Sequence, residues 1–533
     1  MGRTDGIPVW REIGLSPIPQ SQAPEETQIL IVGGGPVGLT LALDLARSGR
    51  KLVLVNQLEF IAAGSKAICF AKRTLDIWER LGVAKKMIDK GVVWNVGKVF
   101  YGDASDPIYQ FDMLPIKEQK HPSFINLQQY YVEEILVEEL SKYDNVQLRW
   151  GHKATAVEQS SNDASVQIET PQGSYGISAE WVIACDGHRS TIRKLMGLDF
   201  EGQIFEDNFL IADVKFKQER PSERWFWFDP PFNPGRSALL HKQPDDVWRL
   251  DFQLGWNVDR VECVKPENVE PFVRGMIGDD VEFEEEWYSV YTFQCRRMRR
   301  FVHGRIVFAG DSAHQVSPFG ARGCNGGVAD ADNLAWKLNL ILNGDAQKGL
   351  IESYDFEAIV TADENILNST RSTEFMTPKS EGSVAFRNAV LDLAEEYKFA
   401  QSFVNSGRLS TPVGYPDSAL NTPDKDAWDG GVPPGNAAID APLGEGWLLD
   451  QLGDQFAILE NRSGLNETEL GSLHIVTIDL STADESRSIA LERYQIPRGG
   501  AYLIRPDQYV AARWKSAKFA DVQNALARAK GSQ

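Results

Sequence analysis

The sequence predicts a mixed α/β (α+β) chain: a parallel-sheet domain interleaved with an antiparallel-sheet domain, followed by a smaller α/β unit. An apolar strand, a glycine-rich turn, a helix and a second apolar strand follow one another between Ile29 and Val55. Apolar and polar residues then alternate between about Asp207 and Asp259 (Trp225, Trp227; Trp248, Leu250, Phe252, Leu254), the period of strands packed on one face. A buried strand and a long helix return at Ile306–Ala309 and at about Asn325–Asn343, so the first domain resumes after the second.

The elements can be justified in chain order. Residues 1–26 read as a Pro-rich extension. Ile29–Val32 is apolar at every position, as in a strand covered on both faces. A helix follows from about Pro36 to Ser48, with Leu39, Ala42, Leu43 and Ala46 on one face and Gly49 to stop it. Lys51–Val55 completes a unit of about 30 residues, the size of a dinucleotide-binding βαβ. A further helix opens at Gln129 and continues through Val132, Glu133, Leu136 and Leu140. On the returning helix Val328, Ala331, Ala335, Leu338 and Leu342 make a core-facing stripe, and helical patterning runs on to about Arg408. Pro, Gly, Asp and Asn crowd Ser410–Gly446, which reads as a linker. Strands at Phe456–Leu459, His474–Asp479, Ala501–Arg505 and Tyr509–Trp514, then a helix near Ala517–Ala529, suffice for a small closing domain. The expected boundaries are 27–408 for the interleaved pair, a linker at 409–446 and a last domain at 447–533. Within the pair, one domain takes about 27–100, 125–206 and 296–350, and the second sheet takes about 101–124 and 207–295.

Composition bounds the function. A chain of 533 residues holds three or so domains at roughly 150 residues each. Its 42% hydrophobic and 24% charged residues are those of a globular protein with a core. A formal net charge of −20 argues against a nucleic-acid or anionic-membrane partner. Cys69, Cys185, Cys263, Cys295 and Cys324 form no CxxC pair, so neither a metal site nor a disulfide framework is expected and a reducing cytoplasm fits. The first 26 residues lack the apolar region of a signal peptide, and the apolar window 28–46 is too broken by glycines and Asp44 to span a bilayer.

Two glycine-bearing constellations carry chemistry. Gly33-Gly34-Gly35-Pro36-Val37-Gly38 fits GxGxxG between strand and helix. Gly33 permits the tight turn, Gly35 lets a pyrophosphate reach the backbone, and Gly38 lets helix and strand pack closely, with the phosphates at the positive end of the helix dipole. The acid that normally closes the next strand is replaced by Asn56, an uncharged amide. Asn56, Glu59 or neither takes the adenosine ribose. The second constellation runs from Gly304 to His314 and ends a strand at Gly310-Asp311, where a carboxylate can accept from the ribityl hydroxyls of a flavin. It continues as Pro318-Phe319-Gly320-Ala321-Arg322-Gly323-Cys324-Asn325-Gly326-Gly327, a glycine-rich loop entering a helix whose free N–H groups suit negative charge on a flavin ring. The plain alternative is a structural turn with Asn325 as N-cap. His314, with no HxxxH partner, reads as a packing or hydrogen-bonding residue, and Trp225 and Trp227 read as sheet core.

Together these segments resemble the class A FAD-dependent aromatic hydroxylases, which share the p-hydroxybenzoate hydroxylase fold. The GxGxxG unit, Cys185-Asp186-Gly187-His188-Arg189-Ser190-Thr191-Ile192-Arg193 (similar to the family's DG motif) and Gly310-Asp311 through Leu338 (similar to its GD motif) occur in family order. The resemblance implies a Rossmann-like FAD domain, FAD as cofactor, NADH or NADPH as transient reductant, and a phenolic or aromatic substrate. Dioxygen is then inserted by way of a flavin C4a-hydroperoxide. It further implies FAD contacts at Gly33, Gly35, Pro36, Val37, Gly38, Lys66, Gln129, Asp186, Asp311, Pro318, Gly320, Gly323, Cys324 and Asn325. Lys66 stands where the family usually has arginine, which keeps charge and loses the planar fork. Arg249 is expected to reach the flavin, or else to be a surface strand residue, and Pro318 and Arg322 to flank the ring. His241 lies on a strand where the family presents polar groups; it either orients or deprotonates a phenol, or faces solvent.

The tail from Arg493 to Trp514 resembles the thioredoxin-like domain of the phenol and 3-(3-hydroxyphenyl)propionate hydroxylase subgroup. No cysteine follows Cys324, so that domain is expected to be structural or to support a homodimer. Two rival readings are a flavoenzyme without oxygen insertion (an oxidase, dehydrogenase or halogenase) and a binding protein that has lost its flavin. A halogenase carries WxWxIP, and Trp225-Phe226-Trp227-Phe228-Asp229-Pro230 departs from it at the Ile.

Overall fold

A computed structural model describes residues 8–19, 23–63, 67–113, 116–216, 218–317, 320–404, 411–465, 473–478 and 486–532. The mixed α/β arrangement is the one expected. Five strands run parallel in the spatial order Val146–Trp150, Leu52–Asn56, Glu25–Val32, Gly173–Ala184 and Ile306–Phe308. Ile29, Leu30 and Ile31 are fully buried, which is why this strand shows no alternation: helices cover one face and further chain the other. The helices Pro36–Arg47 and Gly323–Asn343 pack against each other beside it. Antiparallel strands Ala164–Thr170 and Lys153–Gln159 widen the sheet beyond the first half of Gly173–Ala184.

The second sheet has eight strands. Its order is His314–Gln315, Glu284–Met298, Phe200–Lys215, Val247–Gly255, Ser237–Lys242, Arg224–Phe228, Val96–Tyr101 and Tyr109–Asp112. It begins five residues earlier than expected, because Val96–Tyr101 adds in parallel to Arg224–Phe228. One face packs Leu250 and Phe252 against Val269, Val273 and Ile277 of the helix Pro266–Ile277. Trp225 and Trp227 lie half-buried on that side, as a sheet core would have them. The other face packs Phe209, Phe228 and Leu239 against Met376, Leu391, Ala394 and Ala400 of the helices Ile351–Met376, Glu381–Ala394 and Lys398–Val404.

The N-terminal segment is more structured than a Pro-rich extension. Val9–Glu12 pairs with Phe60–Ala62, Trp10 stacks on Tyr130, and Arg11 bonds Glu134. The region expected as a linker is a packed strap: Tyr415 is buried, its hydroxyl meets Thr361, and Ser418 donates to Glu357. Pro416 and Pro423 lie at the surface, while Gly435 is buried against the Tyr415 carbonyl. Beyond it, His474–Thr477, Ala457–Glu460, Ala501–Ile504 and Val510–Trp514 form a four-stranded sheet in that order. The first pair is parallel and the other two antiparallel.

The loop joining the last two strands is driven into the first domain. Arg505 Nη1 and Nη2 donate to Glu357 at 2.7 and 2.9 Å, and Glu357 also accepts from Lys337 and Asn333 of the helix Gly323–Asn343. Trp336 donates to Asp507, while Arg73 and Arg80 pair with Asp332 on the same helix. Arg505, Glu357 and Lys337 are wholly buried. The charges balance one another there, since unpaired they could not be buried.

Candidate active site

The glycine loop is built around what a side chain would displace. Gly33 has φ +116°, and a β-carbon on it would lie 2.2 Å from the Cys185 carbonyl oxygen. On Gly38 one would lie 2.1 Å from the Gly33 oxygen, so the helix Pro36–Arg47 starts hard against the strand end. Gly35 faces open space and caps the helix without any side-chain hydrogen bond, while Pro36, first in the helix, has no N–H to satisfy. An uncapped N-terminus beside open space is an anion site. Asn56 is turned toward this loop: its Oδ1 accepts from the Gly34 N–H at 3.2 Å and its Nδ2 donates to Leu58. The amide that replaces the usual acid thus braces the turn.

The second loop meets the first at Val37. The Val37 side chain fills the space a β-carbon would need at both Gly310 (3.0 Å) and Gly327 (2.5 Å). Asp311 follows Gly310 in a single 3₁₀ turn (Gly310–Ser312) and is solvent-exposed at the carboxyl end of its strand. Asp330 holds the turn from beneath, accepting from the Gly310 N–H at 2.9 Å and from His314 Nε2 at 2.7 Å. Burial would lower the His314 pKa, but the Asp330 carboxylate more than offsets that and raises it. His314 is thus the hydrogen-bonding residue expected. The helix Gly323–Asn343 starts behind Gly320 (φ +111°) with no side-chain cap. Asn325 does not cap it. Its Oδ1 accepts from Ala71 N–H and Thr74 Oγ1, and its Nδ2 donates to Cys69 O at 2.9 Å, stapling the loop to the strand Cys69–Ala71. Burial, then the Asp311 and Glu133 carboxylates, raise the Cys324 thiol pKa. Gln129 opens the helix carrying Glu133; it accepts from the Ala67 N–H and donates to Glu133. Asp186 accepts from Thr191 and Ile192 N–H with one oxygen; the other is buried without a protein partner.

Beside this cleft stands one face of the second sheet. Cross-strand register aligns Gly97, Arg224, His241, Arg249 and Asp213 in a row, which sends the side chains of the last four to the same face. The Arg249 Nε and Nη2 donate to the two Asp213 oxygens at 2.8 and 2.7 Å. Burial alone would lower the Arg249 pKa; the Asp213 charge reverses this and keeps the guanidinium ionised. His241 Nε2 meets Asp251 Oδ2 at 3.1 Å, and its Nδ1 is buried without a partner. Burial lowers the His241 pKa to about 4, against the Asp251 hydrogen bond and with help from Arg224 and Arg249. Arg322, at the start of the cofactor-side helix, donates to Asn365.

The model of the FAD binding domain family matches residues 26–369. The chain belongs to that family. It is 28% identical over 397 residues to the 12-dehydrotetracycline 5-monooxygenase/anhydrotetracycline 6-monooxygenase of Streptomyces rimosus, across 72% of this chain and 77% of that one. It is 25% identical over 539 residues to the 3-(3-hydroxy-phenyl)propionate/3-hydroxycinnamic acid hydroxylase of Burkholderia cenocepacia, across 94% and 96%. The flavin-dependent monooxygenase PieE, solved with FAD and substrate, superposes with a TM-score of 0.80 at 22% identity, covering 96% of this chain and all of that one.

FAD fits the residues present: an uncapped helix end over an open glycine, a second uncapped helix end, and an exposed carboxylate between them. Contact through Val37 brings the loop of Gly33, Gly35, Pro36, Val37 and Gly38 against the turn and helix that carry Asp311, Gly323, Cys324 and Asn325, with Gly320 just before that helix. The Asp186 backbone lies beside Gly33, while Gln129 bonds Ala67 and Glu133. Lys66 and Pro318 lie outside the described residues. Arg249 and His241 stand together on the sheet, neither of them at the surface. The sequence reading missed Arg224, Asp213, Asp251 and Asp330. For Arg224 a signal existed: in Arg224-Trp225-Phe226-Trp227-Phe228, alternation puts a charge in phase with Phe226 and Phe228 on the inner face.

Proposed function

We propose that this protein hydroxylates an aromatic substrate bearing a phenolic hydroxyl, using FAD, dioxygen and NADH or NADPH. The contact of the two glycine loops through Val37 supports the reading, together with Cys69, whose carbonyl accepts from Asn325 of the second loop's helix and whose thiol meets Arg224 on the inner sheet face. When bound, FAD takes hydride from the nicotinamide and activates dioxygen for transfer to the ring. Asp311 would hold ribityl hydroxyls and the tip at Gly323 would face negative charge on the isoalloxazine. His241 is the residue poised toward the hydroxyl. Because its Nε2 donates to Asp251, its Nδ1 presents a lone pair that can accept the phenolic hydrogen, and Asp251 stabilises the charge this creates. Phe226, Leu239 and the helices packed above exclude water that would divert the activated oxygen.

The strand order of the last sheet fits a thioredoxin-like unit with a structural role. Exposed Phe386, Phe399 and Phe403 suit a homodimer contact, and a cytoplasmic setting agrees with the cysteine usage. Purified protein should be yellow, and a phenol should accelerate NAD(P)H consumption with one hydroxylated product formed per nicotinamide oxidised. Consumption that yields only hydrogen peroxide with every phenol tried would replace this reading with an oxidase.

A further inference from the structure

Residues 8–16 lie across the carboxyl ends of the two strands at one edge of the parallel sheet, Leu52–Asn56 and Val146–Trp150. Val9–Glu12 pairs antiparallel with Phe60–Ala62, and the Pro8 carbonyl accepts from the Ala63 N–H at 2.9 Å. The Ile13 and Gly14 N–H groups both donate to the Glu59 carbonyl. Ser16 then reaches the edge strand: its N–H donates to Trp150 O, and its Oγ accepts from the Trp150 N–H, each at 2.9 Å. The Ser16 carbonyl meets His152 Nε2 at 2.9 Å, and the His152 N–H donates to Asn56 O.

Phe60 and Ile61 are 2% and 1% exposed, and among the described residues Val9–Glu12 is the strand that pairs with them. Without it, buried backbone groups of that stretch would lose their partners, and the stretch would have to rearrange. The same four residues grip a helix. Trp10 stacks on Tyr130 with ring centroids 4.2 Å apart and meets Tyr131 edge-on at 4.9 Å. Trp10 Nε1 and Arg11 Nη1 donate to the two Glu134 oxygens at 3.2 and 3.0 Å. That helix opens with Gln129, whose side chain accepts from the Ala67 N–H at 3.1 Å.

In a dinucleotide site the adenosine ribose sits beyond the end of the second strand of the βαβ unit, which here is Asn56. The Asn56 side chain is already engaged by the Gly34 N–H and the Leu58 carbonyl, so the chain that follows it becomes the wall on that side. We infer that residues 8–16 are a clasp that retains FAD. By fixing residues 57–63 and the helix at Gln129 they hold the wall of the adenosine site and slow the release of the cofactor. Trp10 acts through Tyr130 and Glu134, as a positioning residue. The inference requires FAD at the glycine loops and goes beyond the hydroxylase reading, since it is independent of which substrate is oxidised.

The test uses full-length, FAD-loaded protein: wild type, Trp10→Phe, Trp10→Ala and the double variant Trp10→Ala/Arg11→Ala. Release is followed as the rise in free-flavin fluorescence after dilution, alongside melting temperatures with and without FAD. The double variant should release FAD at least about fivefold faster than wild type, with Trp10→Ala between them and Trp10→Phe, which keeps a stacking ring, near wild type. The rise in melting temperature that FAD confers should shrink in the same order. A smaller change in release would overturn the inference. So would melting temperatures that fall equally with and without FAD at an unchanged release rate, which would make the segment merely structural. If the double variant does not fold, Trp10→Ala against Trp10→Phe decides, and equal release from the two overturns the clasp. Wild type that takes up no FAD would overturn this inference and the hydroxylase reading together. FAD held tightly by wild type and released faster by the variants, with only hydrogen peroxide formed, would overturn the hydroxylase reading alone.

Discussion

Gly38 and His241 show how much a single position decides. A methyl group at Gly38 would meet the Gly33 oxygen at 2.1 Å, so Gly38→Ala must push the helix away from the strand end it starts against. That displaces the N–H groups that would hold the pyrophosphate, and a loss of at least tenfold in FAD affinity is expected, measured by flavin fluorescence on dialysis. Asp311→Asn should be milder: the amide still meets hydroxyls, so the fold stays intact and FAD binding weakens several-fold. For His241 the linkage can be given a sign. Its folded pKa of about 4 lies below the 6.5 of free imidazole, so between those values the unfolded chain binds the extra proton. The stability it contributes is complete above about pH 6.5 and is lost as the pH falls toward 4, about 3 kcal/mol in all. Denaturant titrations of wild type and His241→Gln at pH 7 and pH 5 should diverge by about 2 kcal/mol, the variant being the less pH-sensitive; parallel profiles would place the imidazole in water.

At the scale of elements, the helix Gly323–Asn343 is held from three directions. Its tip is stapled to Cys69–Thr74 by Asn325, its middle is fixed by Glu357, and Trp336 and Asp332 are tied to the loop after Ile504 and to Arg73. Replacing Arg505 by Met would leave Glu357 buried with its charge half-compensated, at a cost of about 3–5 kcal/mol in the unfolding free energy. Strands and helices of this kind were legible because each is a local pattern: Ile29–Val32 is apolar throughout, and the stripe from Val328 to Leu342 repeats at three and four. Their partners were not. Arg249 and Asp213 lie 36 residues apart and meet through strand register, which alternation assigns to a face and never to a neighbour. Asn325 could be read as a cap by residue type alone. In the fold its amide is taken by backbone some 250 residues earlier. The strap at 411–446 had the composition of a linker because its turns need Pro and Gly, and nothing in that composition reveals Tyr415 beneath.

For the whole molecule, the C-terminal sheet and the FAD domain share one buried ionic network, with Arg505, Glu357 and Lys337 all inaccessible to solvent. Neither part can leave without stranding charge in the other. Calorimetry should therefore give a single unfolding transition for the holoenzyme, displaced upward by excess FAD; two resolved transitions would mean that the contact is weak. The same network limits how the protein can be recombined. A chimera that takes its final ninety or so residues from a relative would import the equivalents of Arg505 and Asp507 without the network that receives Arg505, unless the donor's residues at 333, 337 and 357 travelled with them. Designers wishing to exchange the tail should treat those five positions as one inherited cassette.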